Sequence, residues 1–461
     1  MNSKIRILGF LICSTTLLFF ACSGGKKSES EKAVTFSDIA PIVYKNCTPC
    51  HRHGSGAPFN LISYEDVRSH LKTVELTVNS RLMPPWPADT AYSHFRDEKV
   101  MSKADISLLN EWIKSGAPEG DIKNIPAPPA FQEGSSFGKP DLVVKMRQPF
   151  LIKGNNKDNF IMLKVPYELP SDTNVRAIEI VPGNKKLAHH INAHLVQYEE
   201  GTKTNFRGGA PFVDTEKANK LKAFQMLDLQ NDDGTYPRLT PSVTNYLPGV
   251  EVAIYPKGIG GYRVKKHGAI LLDNIHYGPS PVDTSDVTTF NFFFSPKKPE
   301  RPTIEMIIGT SGISPVEPPL VIPPNEIKTF ISKYTLPQSI SLLTVNPHMH
   351  LLGASFKAFA VTPMGDTIRI INIPKWDFRW QYFYTYEHML KIPQGSTIYS
   401  VGTYDNTVNN PLNPFNPPQT VSEREGSMRT TDEMFQLICT FVPYQEGDEN
   451  VSLLNEKLSD R

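Results

Sequence analysis

Thr289-Phe-Asn-Phe-Phe-Phe294 places four aromatic rings and one β-branched residue in six positions, a composition that packs on a pleated sheet far better than on a helix. Comparable runs lie on both sides of it: Asp141-Leu-Val-Val-Lys-Met146, Ala177-Ile-Glu-Ile-Val181 and Phe435-Gln-Leu-Ile-Cys-Thr-Phe441. Short apolar runs spread over residues 141–446 predict two all-β sandwiches of jelly-roll-like form. Proline agrees, because 40 of 461 residues are Pro, and Pro is poorly tolerated inside helices and central strands. The Pro-rich stretch from Pro296 to Pro324 puts the boundary near residue 300, giving sandwiches over 141–300 and 301–446 and a charged tail over 447–461. The polar segment from Glu200 to Tyr246 has weak periodicity and reads as a long loop or insertion.

Composition narrows the class. Hydrophobic residues make up 39%, aromatics 10% and charged residues 21%, which is ordinary for a globular protein and excludes a disordered or multi-span membrane chain. The net charge of +1 leaves no basic footprint for nucleic acid.

Upstream of the sandwiches, residues 123–140 are rich in Pro, Gly and Ser and read as a semi-rigid linker. Before it stands Cys47-Thr-Pro-Cys50-His51, the C-x-x-C-H spacing of covalent haem attachment, in which two thiols bind the haem and the adjacent His ligates iron. A thioredoxin-like pair would need a βαβ unit, and half a zinc site would need a second Cys pair; neither is visible. Phe36–Asn46 reads as one helix. Ser102–Ser115 reads as another, with Ser102 and Asp105 as a capping box, Ile106, Leu109 and Trp112 on one face, and Gly116 closing it. This arrangement resembles a small all-α monohaem cytochrome c domain over 33–122. Met83, framed by Pro84-Pro85-Trp86-Pro87, is the expected sixth iron ligand, with His53, His70, His94 and Met101 as alternatives.

The start of the chain predicts export. Lys4 and Arg6 precede an apolar run from Ile7 to Ala21, shorter than the ~20 residues that span a bilayer. Leu18-Phe-Phe-Ala-Cys22 resembles a bacterial lipobox, so residues 1–22 read as a signal peptide ending in lipidated Cys22, and 23–32 as a polar tether. The expected location is the periplasm or cell surface, through a lipid anchor. The five cysteines are Cys13, Cys22, Cys47, Cys50 and Cys439, which offer no disulfide framework.

Histidines form the remaining pattern. His189 and His190 are adjacent in Ala-His-His-Ile-Asn-Ala-His. His276 sits in Asn-Ile-His-Tyr-Gly, and His348 and His350 in Asn-Pro-His-Met-His-Leu-Leu-Gly. On a strand, His348 and His350 leave the same face and can share a metal. Adjacent His189 and His190 would need a bulge or different ring nitrogens to do so, with His276 as a third ligand. Three imidazoles suit copper or zinc; two imidazoles with a thioether suit copper.

The order His-His, His-Tyr-Gly, His-x-His-x-x-Gly and then Thr431-Asp-Glu-Met434 resembles the copper type II, ascorbate-dependent monooxygenases, the family of peptidylglycine α-hydroxylating and dopamine β-monooxygenases. Leu247-Pro-Gly249, Gly261-Tyr-Arg-Val264, Val321-Ile-Pro-Pro324, Ile392-Pro-Gln-Gly395 and Thr403-Tyr-Asp-Asn-Thr407 extend the match over most of 141–446. The resemblance implies that His189, His190 and His276 hold an electron-transfer copper, and that His348, His350 and Met434 hold an oxygen-activating one, with Met428 as runner-up thioether. His194, His267 and His388 are expected to be structural. The peptide-processing branch clamps a substrate carboxylate with an Arg and a Tyr, and here Asn346 and Ile438 occupy those positions. The expected protein is therefore a copper monooxygenase carrying two copper ions and one haem c. It would take O2, a neutral small organic substrate, and electrons from ascorbate or a redox protein. The alternative is an electron-transfer or copper-binding lipoprotein without oxygenase activity.

Overall fold

The computed structural model describes residues 33–131, 134–250, 254–424 and 429–454. The expected leader, Cys22, the tether and Met428 lie outside these residues. No helix among them is long and apolar enough to cross a membrane.

The chain is mostly β. Its N-terminal part carries α1 (Phe36–Asn46), α2 (Tyr64–Ser69), α3 (Leu71–Asn79) and α4 (Lys103–Lys114). Each has a local cause. Thr35 and Asp38 form a capping box on α1, Ser63 and Asp66 form one on α2, and the Ser102 hydroxyl accepts from the Asp105 amide at 3.0 Å to start α4. Gly116, at φ +92°, ends the last helix in the left-handed region. Phe36, Ile39, Val43, Leu109 and Trp112 pack between them.

These helices do not amount to the expected all-α cytochrome domain. Among the described residues there are only five short α-helices in a predominantly β chain, and the longest has 12 residues. The physical reason lies between α3 and α4, where prolines 84, 85 and 87 interrupt helix formation and the aromatics that follow leave the helical core. Trp86 packs on Tyr382 and Tyr384 at ring separations of 5.5 and 5.3 Å, and Phe95 packs on Tyr384 and Tyr386 at 5.1 and 5.0 Å, all in the second sandwich. The helices share a small core of their own, and the loop between α3 and α4 ties them to the β body.

The first sandwich contains β1 (Leu142–Lys145), β2 (Phe150–Ile152), β3 (Asn159–Glu168), β4 (Thr173–Val181), β5 (Ala188–Gln197), β6 (Phe212–Asp214), β7 (Thr244–Tyr246), β8 (Tyr262–Val264), β9 (His267–Tyr277), β10 (Thr284–Asp286) and β11 (Thr289–Phe294). Sheets of order β1-β11-β4-β8 and β6-β3-β9-β5-β7 enclose Ile178, Phe290, Phe292, Leu163, Ile191 and Leu272. The segment after residue 200 is more ordered than a loop. It supplies β6, α5 (Lys220–Met226) and β7, and it buries Val213, Ala223, Leu227 and Leu229 against the outer face of the larger sheet.

The second sandwich contains β12 (Ile304–Gly309), β13 (Val316–Glu317), β14 (Val321–Ile322), β15 (Ile327–Thr335), β16 (Ile340–Met349), β17 (Gly353–Val361), β18 (Thr367–Ile373), β19 (Tyr384–Ile392), β20 (Thr397–Asp405), β21 (Val421–Ser422) and β22 (Phe435–Pro443). Its sheets run β12-β22-β16-β19 and β13-β15-β20-β17-β18, around Phe330, Leu342, Val345, Phe356, Ile398 and Leu437. β18 and β19 are edge strands. The loop before α4 covers both, donating from the Asp89 amide to the Asn372 carbonyl and from the Arg96 amide to the Thr385 carbonyl, each at 2.8 Å.

Candidate functional site

β16 and the residue after it present His348 and His350 on one face, with their Nε2 atoms 3.2 Å apart. Two imidazole–metal bonds of about 2.0–2.1 Å at a tetrahedral angle put their nitrogens about 3.3 Å apart, so the pair is spaced for one ion. Each ring is held from behind. Nδ1 of His350 donates to the Asp432 carbonyl at 2.8 Å, and Nδ1 of His348 bonds Oε1 of Gln381. Both partners are acceptors, which fixes the proton on Nδ1 and leaves the Nε2 lone pairs facing each other. Burial keeps the rings neutral. It pushes the His348 pKa down to about 3, with the neighbouring His350 adding to the shift, and it lowers His350 as well.

Glu433 is a residue that the sequence reading passed over. Its buried carboxyl accepts from the backbone amides of His350 (2.9 Å), Leu352 (2.7 Å) and Met434 (3.3 Å), tying the histidine-bearing chain to the methionine-bearing one. Burial drives its pKa up to about 8, against the pull of the three donors. The β16–β22 register pairs Met349 with Phe435, so His350 and Met434 are the next residues along their chains. The only signal in the sequence was the acid's position beside the candidate ligand.

In the first sandwich the β5–β9 register shifts between Ala188 and His190, the irregularity that lets adjacent histidines turn toward one centre. The rings of His189 and His190 lie 4.6 and 5.2 Å from that of His276. A Cβ on Gly278 would fall 2.5 Å from Nε2 of His189, which explains why His-Tyr is followed by Gly. Asp158, another residue missed in the sequence, receives Nε2 of His276 at 2.6 Å, and Asp158, His189 and His276 each offer an atom within 4.8 Å of the others. The hydrogen bond from His276 holds the Asp158 carboxyl below its usual range. Burial and the neighbouring His276 push His189 down to about 4, and the same two causes depress His190. Nε2 of His190 is buried without a hydrogen-bond partner, an arrangement that costs free energy unless a bound ion or other ligand meets it. The donor sets of both clusters therefore fit a copper ion.

The other histidines are engaged elsewhere. His194, on β5, pairs with Asp273 at 3.2 Å and bonds the Thr240 carbonyl. Burial opposes its charge, but the Asp273 carboxylate prevails and carries the pKa up to about 9. His267 stacks on Phe206 and meets Glu168 at 3.3 Å, and the backbone of His388 bridges to Ser452.

Cys47, Cys50, His51 and Met83 line a cavity of about 710 Å³. Nδ1 of His51 donates to the Phe59 carbonyl at 3.0 Å, leaving Nε2 as the free nitrogen. Two thiols, this oriented imidazole and a thioether lining the same cavity are the donor types that fit a covalently held haem. Of the alternatives to Met83, Met101 is buried in the helical core, His70 stacks on Phe59 at 4.0 Å, His53 bonds Asn60 and His94 pairs with Glu98. The cavity is shared rather than enclosed by the helices. Lys185, Lys186 and His189 from the first sandwich and Arg379 and Tyr382 from the second complete its wall. Gly249 packs so closely on Cys50 that a Cβ there would lie 2.0 Å from the thiol sulfur.

No family model matches this chain, and no curated protein matches it. Among solved structures, the chain is similar to one titled as the crystal structure of the STIV MCP, at 11% identity over 57% of this chain and 94% of that one, with a TM-score of 0.16. It is also similar to PBCV-1 VP54, as fitted into a cryo-EM reconstruction of the virophage Sputnik, at 6% identity over 68% of this chain and 95% of that one, with a TM-score of 0.17. Superposition this weak carries no argument about fold or function.

Asn346 and Ile438 stand opposite each other on β16 and β22. The Asn346 amide is buried and donates to the Gln381 and Tyr382 carbonyls at 3.3 and 2.9 Å, so its donors are spent inside the protein.

Proposed function

We propose that this protein is a copper-dependent monooxygenase that hydroxylates a C–H bond of a small, uncharged organic substrate with O2, fed by electrons from a covalently attached haem. The observation that carries this reading is the shared cavity: Cys47, Cys50 and His51 line it together with His189 of the first histidine cluster. When bound, the haem supplies one-electron relay, and the coppers supply electron storage and O2 activation. The chain's own part is positional. Gln381 and the Asp432 carbonyl hold the protons of His348 and His350 on Nδ1, and Glu433 locks the Met434 segment beside them. Burial keeps the imidazoles neutral and available as ligands. With Asn346 committed to backbone carbonyls and Ile438 opposite it, no charged clamp faces a substrate carboxylate at these two positions.

The test is O2 consumption and 18O incorporation by copper-loaded, haem-bearing protein, screened against small aromatic and aliphatic compounds beside matched glycine-ended peptides in free-acid and amidated form. Label in a neutral product supports the reading. Copper binding without label in any product removes the oxygenase assignment, and carboxylate-dependent hydroxylation of the free-acid peptide removes the substrate class.

A further inference from the structure

The cavity lined by Cys47, Cys50, His51 and Met83 is strongly cationic. Lys45, Arg96, Lys99, Lys185, Lys186 and Arg379 line it, against the two acids Asp97 and Glu98. Phe59, Leu61, Val74 and Val250 supply apolar wall. A haem has the matching make-up. Its macrocycle is flat and apolar, its vinyl groups would be taken by Cys47 and Cys50, and two propionate carboxylates stand on the edge away from them. Those carboxylates need a partner or water.

Three of the cations belong elsewhere. Lys45 stands on α1, two positions before the thiol of Cys47. Arg96 pairs with Asp97 at 3.2 Å and donates to the Leu453 carbonyl at 3.1 Å, and Lys99 donates to the Gly249 carbonyl. The other three come from the two sandwiches. Lys185 and Lys186 lie in the turn between β4 and β5, and Arg379 lies in the loop between β18 and β19. Both segments are fixed in place. A Cβ on Gly56 would fall 2.6 Å from the Lys185 carbonyl oxygen, so the turn rests on the loop that follows His51. Phe378, only 6% exposed, packs its ring 6.1 Å from that of His190 and 5.9 Å from that of His350, which anchors the residue before Arg379. Asp377 accepts from Nε of Arg379 at 2.9 Å and from Nη2 at 2.6 Å, leaving the Nη1 donors for a second carboxylate. Lys186 and Arg379 are exposed as well as lining the cavity, which puts them at its mouth.

We propose that Lys185, Lys186 and Arg379 form a carboxylate-binding subsite for the haem propionates, so that a haem attached through the helices is held at its charged edge by both sandwiches. This rests on the reading of Cys47-Thr-Pro-Cys50-His51 as a covalent haem site. The division of labour follows from the chemistry: apolar side chains meet the macrocycle, and ammonium and guanidinium groups at the mouth meet the carboxylates. The haem is then tuned by residues outside the helices that carry it.

The experiment is a spectroelectrochemical titration of the haem in the full-length, haem-bearing chain, at low ionic strength and from pH 5 to 8. Cations beside the propionates keep them ionised over that range, so the wild-type midpoint potential is expected to change little with pH. Arg379→Gln, and Lys185→Gln with Lys186→Gln, are each expected to lower the potential at pH 7, because loss of positive charge favours ferric over ferrous haem. Each should also bring a fall of potential with pH into the range, as the propionates protonate more easily. Arg379→Lys and Lys186→Arg keep the charge and should keep the wild-type profile, and added salt should shrink every difference. Folded, low-spin glutamine variants that match the wild type would overturn the subsite while leaving the haem standing. So would a larger shift in Lys45→Gln than in either sandwich variant, or a shift that appears only with added acetate, which would assign these cations to an external carboxylate. If the glutamine variants do not mature, the wild type decides alone: a flat profile supports the subsite and a steep fall from pH 5 to 8 overturns it. Loss of haem from the wild-type polypeptide in acid acetone would remove the haem and the subsite together.

Discussion

The two histidine clusters are built on opposite plans. In the second, each imidazole has its rear nitrogen bound to an acceptor and the front nitrogens converge at 3.2 Å. In the first, a single carboxylate holds one ring, two adjacent histidines depend on a strand irregularity, and one buried nitrogen has no partner. The second cluster is preorganised, which, on the proposed function, suits a centre whose geometry must be right when O2 and substrate arrive. The first is anchored at one ring, which, on the same proposal, suits a centre that has only to accept and pass on an electron.

The largest effect that would break this contrast is loss of a ligand. His350→Ala is expected to reduce copper from about two to about one per chain and to abolish oxygenation, whereas His276→Ala is expected to block electron delivery while His348 and His350 still bind their ion; metal analysis with a single-turnover assay separates the two. Retained oxygenation in His350→Ala would falsify the division of labour.

Next in size is His194, on the same strand as His189 and His190 but paired with Asp273. Removing one partner of a buried ion pair costs ~3–5 kcal/mol, and His194→Ala should show that loss in thermal or denaturant unfolding without changing copper content. The pH dependence has a definite sign. Because the folded pKa of His194, about 9, is above the ordinary 6.5, its stabilisation is complete below about pH 6.5 and disappears as pH rises through 9. Asp273, depressed in the fold, contributes above the ordinary carboxylate range and loses its contribution as pH falls. Wild-type stability should therefore decline from pH 7 to 10, and His194→Gln should flatten that decline.

Glu433→Ala strips the acceptor from three backbone amides at the second cluster, two of them buried. At ~1–3 kcal/mol for an unsatisfied buried group, a loss of roughly 3 kcal/mol or more is expected, with weaker binding of copper at that cluster alone. Calorimetric titration of both clusters checks whether the damage stays local.

The smallest and sharpest comparison sets Gln381→Leu against Asp158→Asn. Partners that orient a metal-binding imidazole usually change affinity by about 10–100-fold. Gln381→Leu should weaken the second centre by that order, and Asp158→Asn should weaken the first. If each variant weakens both centres equally, the clusters do not differ in the way described.

Much of this site could be read from residue order. The two-residue spacing of His348 and His350 on an apolar strand, the adjacent pair at 189 and 190, and the C-x-x-C-H run are local patterns, and strand periodicity or ligand spacing interprets them directly. α1 and α4 were legible for the same reason, since caps and apolar faces are written within a dozen residues. Phe378, Gln381 and Asp158 were not. Each reaches its histidine from a loop with no repeating pattern; Gln381 is 33 positions from His348 and Asp158 is 118 from His276. The all-α domain failed on a related point. An apolar ring announces that it will be buried but not in which core, and Trp86 and Phe95 chose the one on the far side of the chain.

That choice bears on how the protein is made. Asp89 bonds a residue 283 positions later, and Tyr382 donates to the Pro85 carbonyl across 297. Chains emerge from the ribosome N-terminus first, and contacts across such separations close late and raise the contact order that slows folding. The N-terminal helices can form early from their own turns. The segment between α3 and α4 must wait, with Trp86 and Phe95 uncovered, until nearly the whole polypeptide has been synthesised, and for that interval it presents apolar surface that a chaperone would cover.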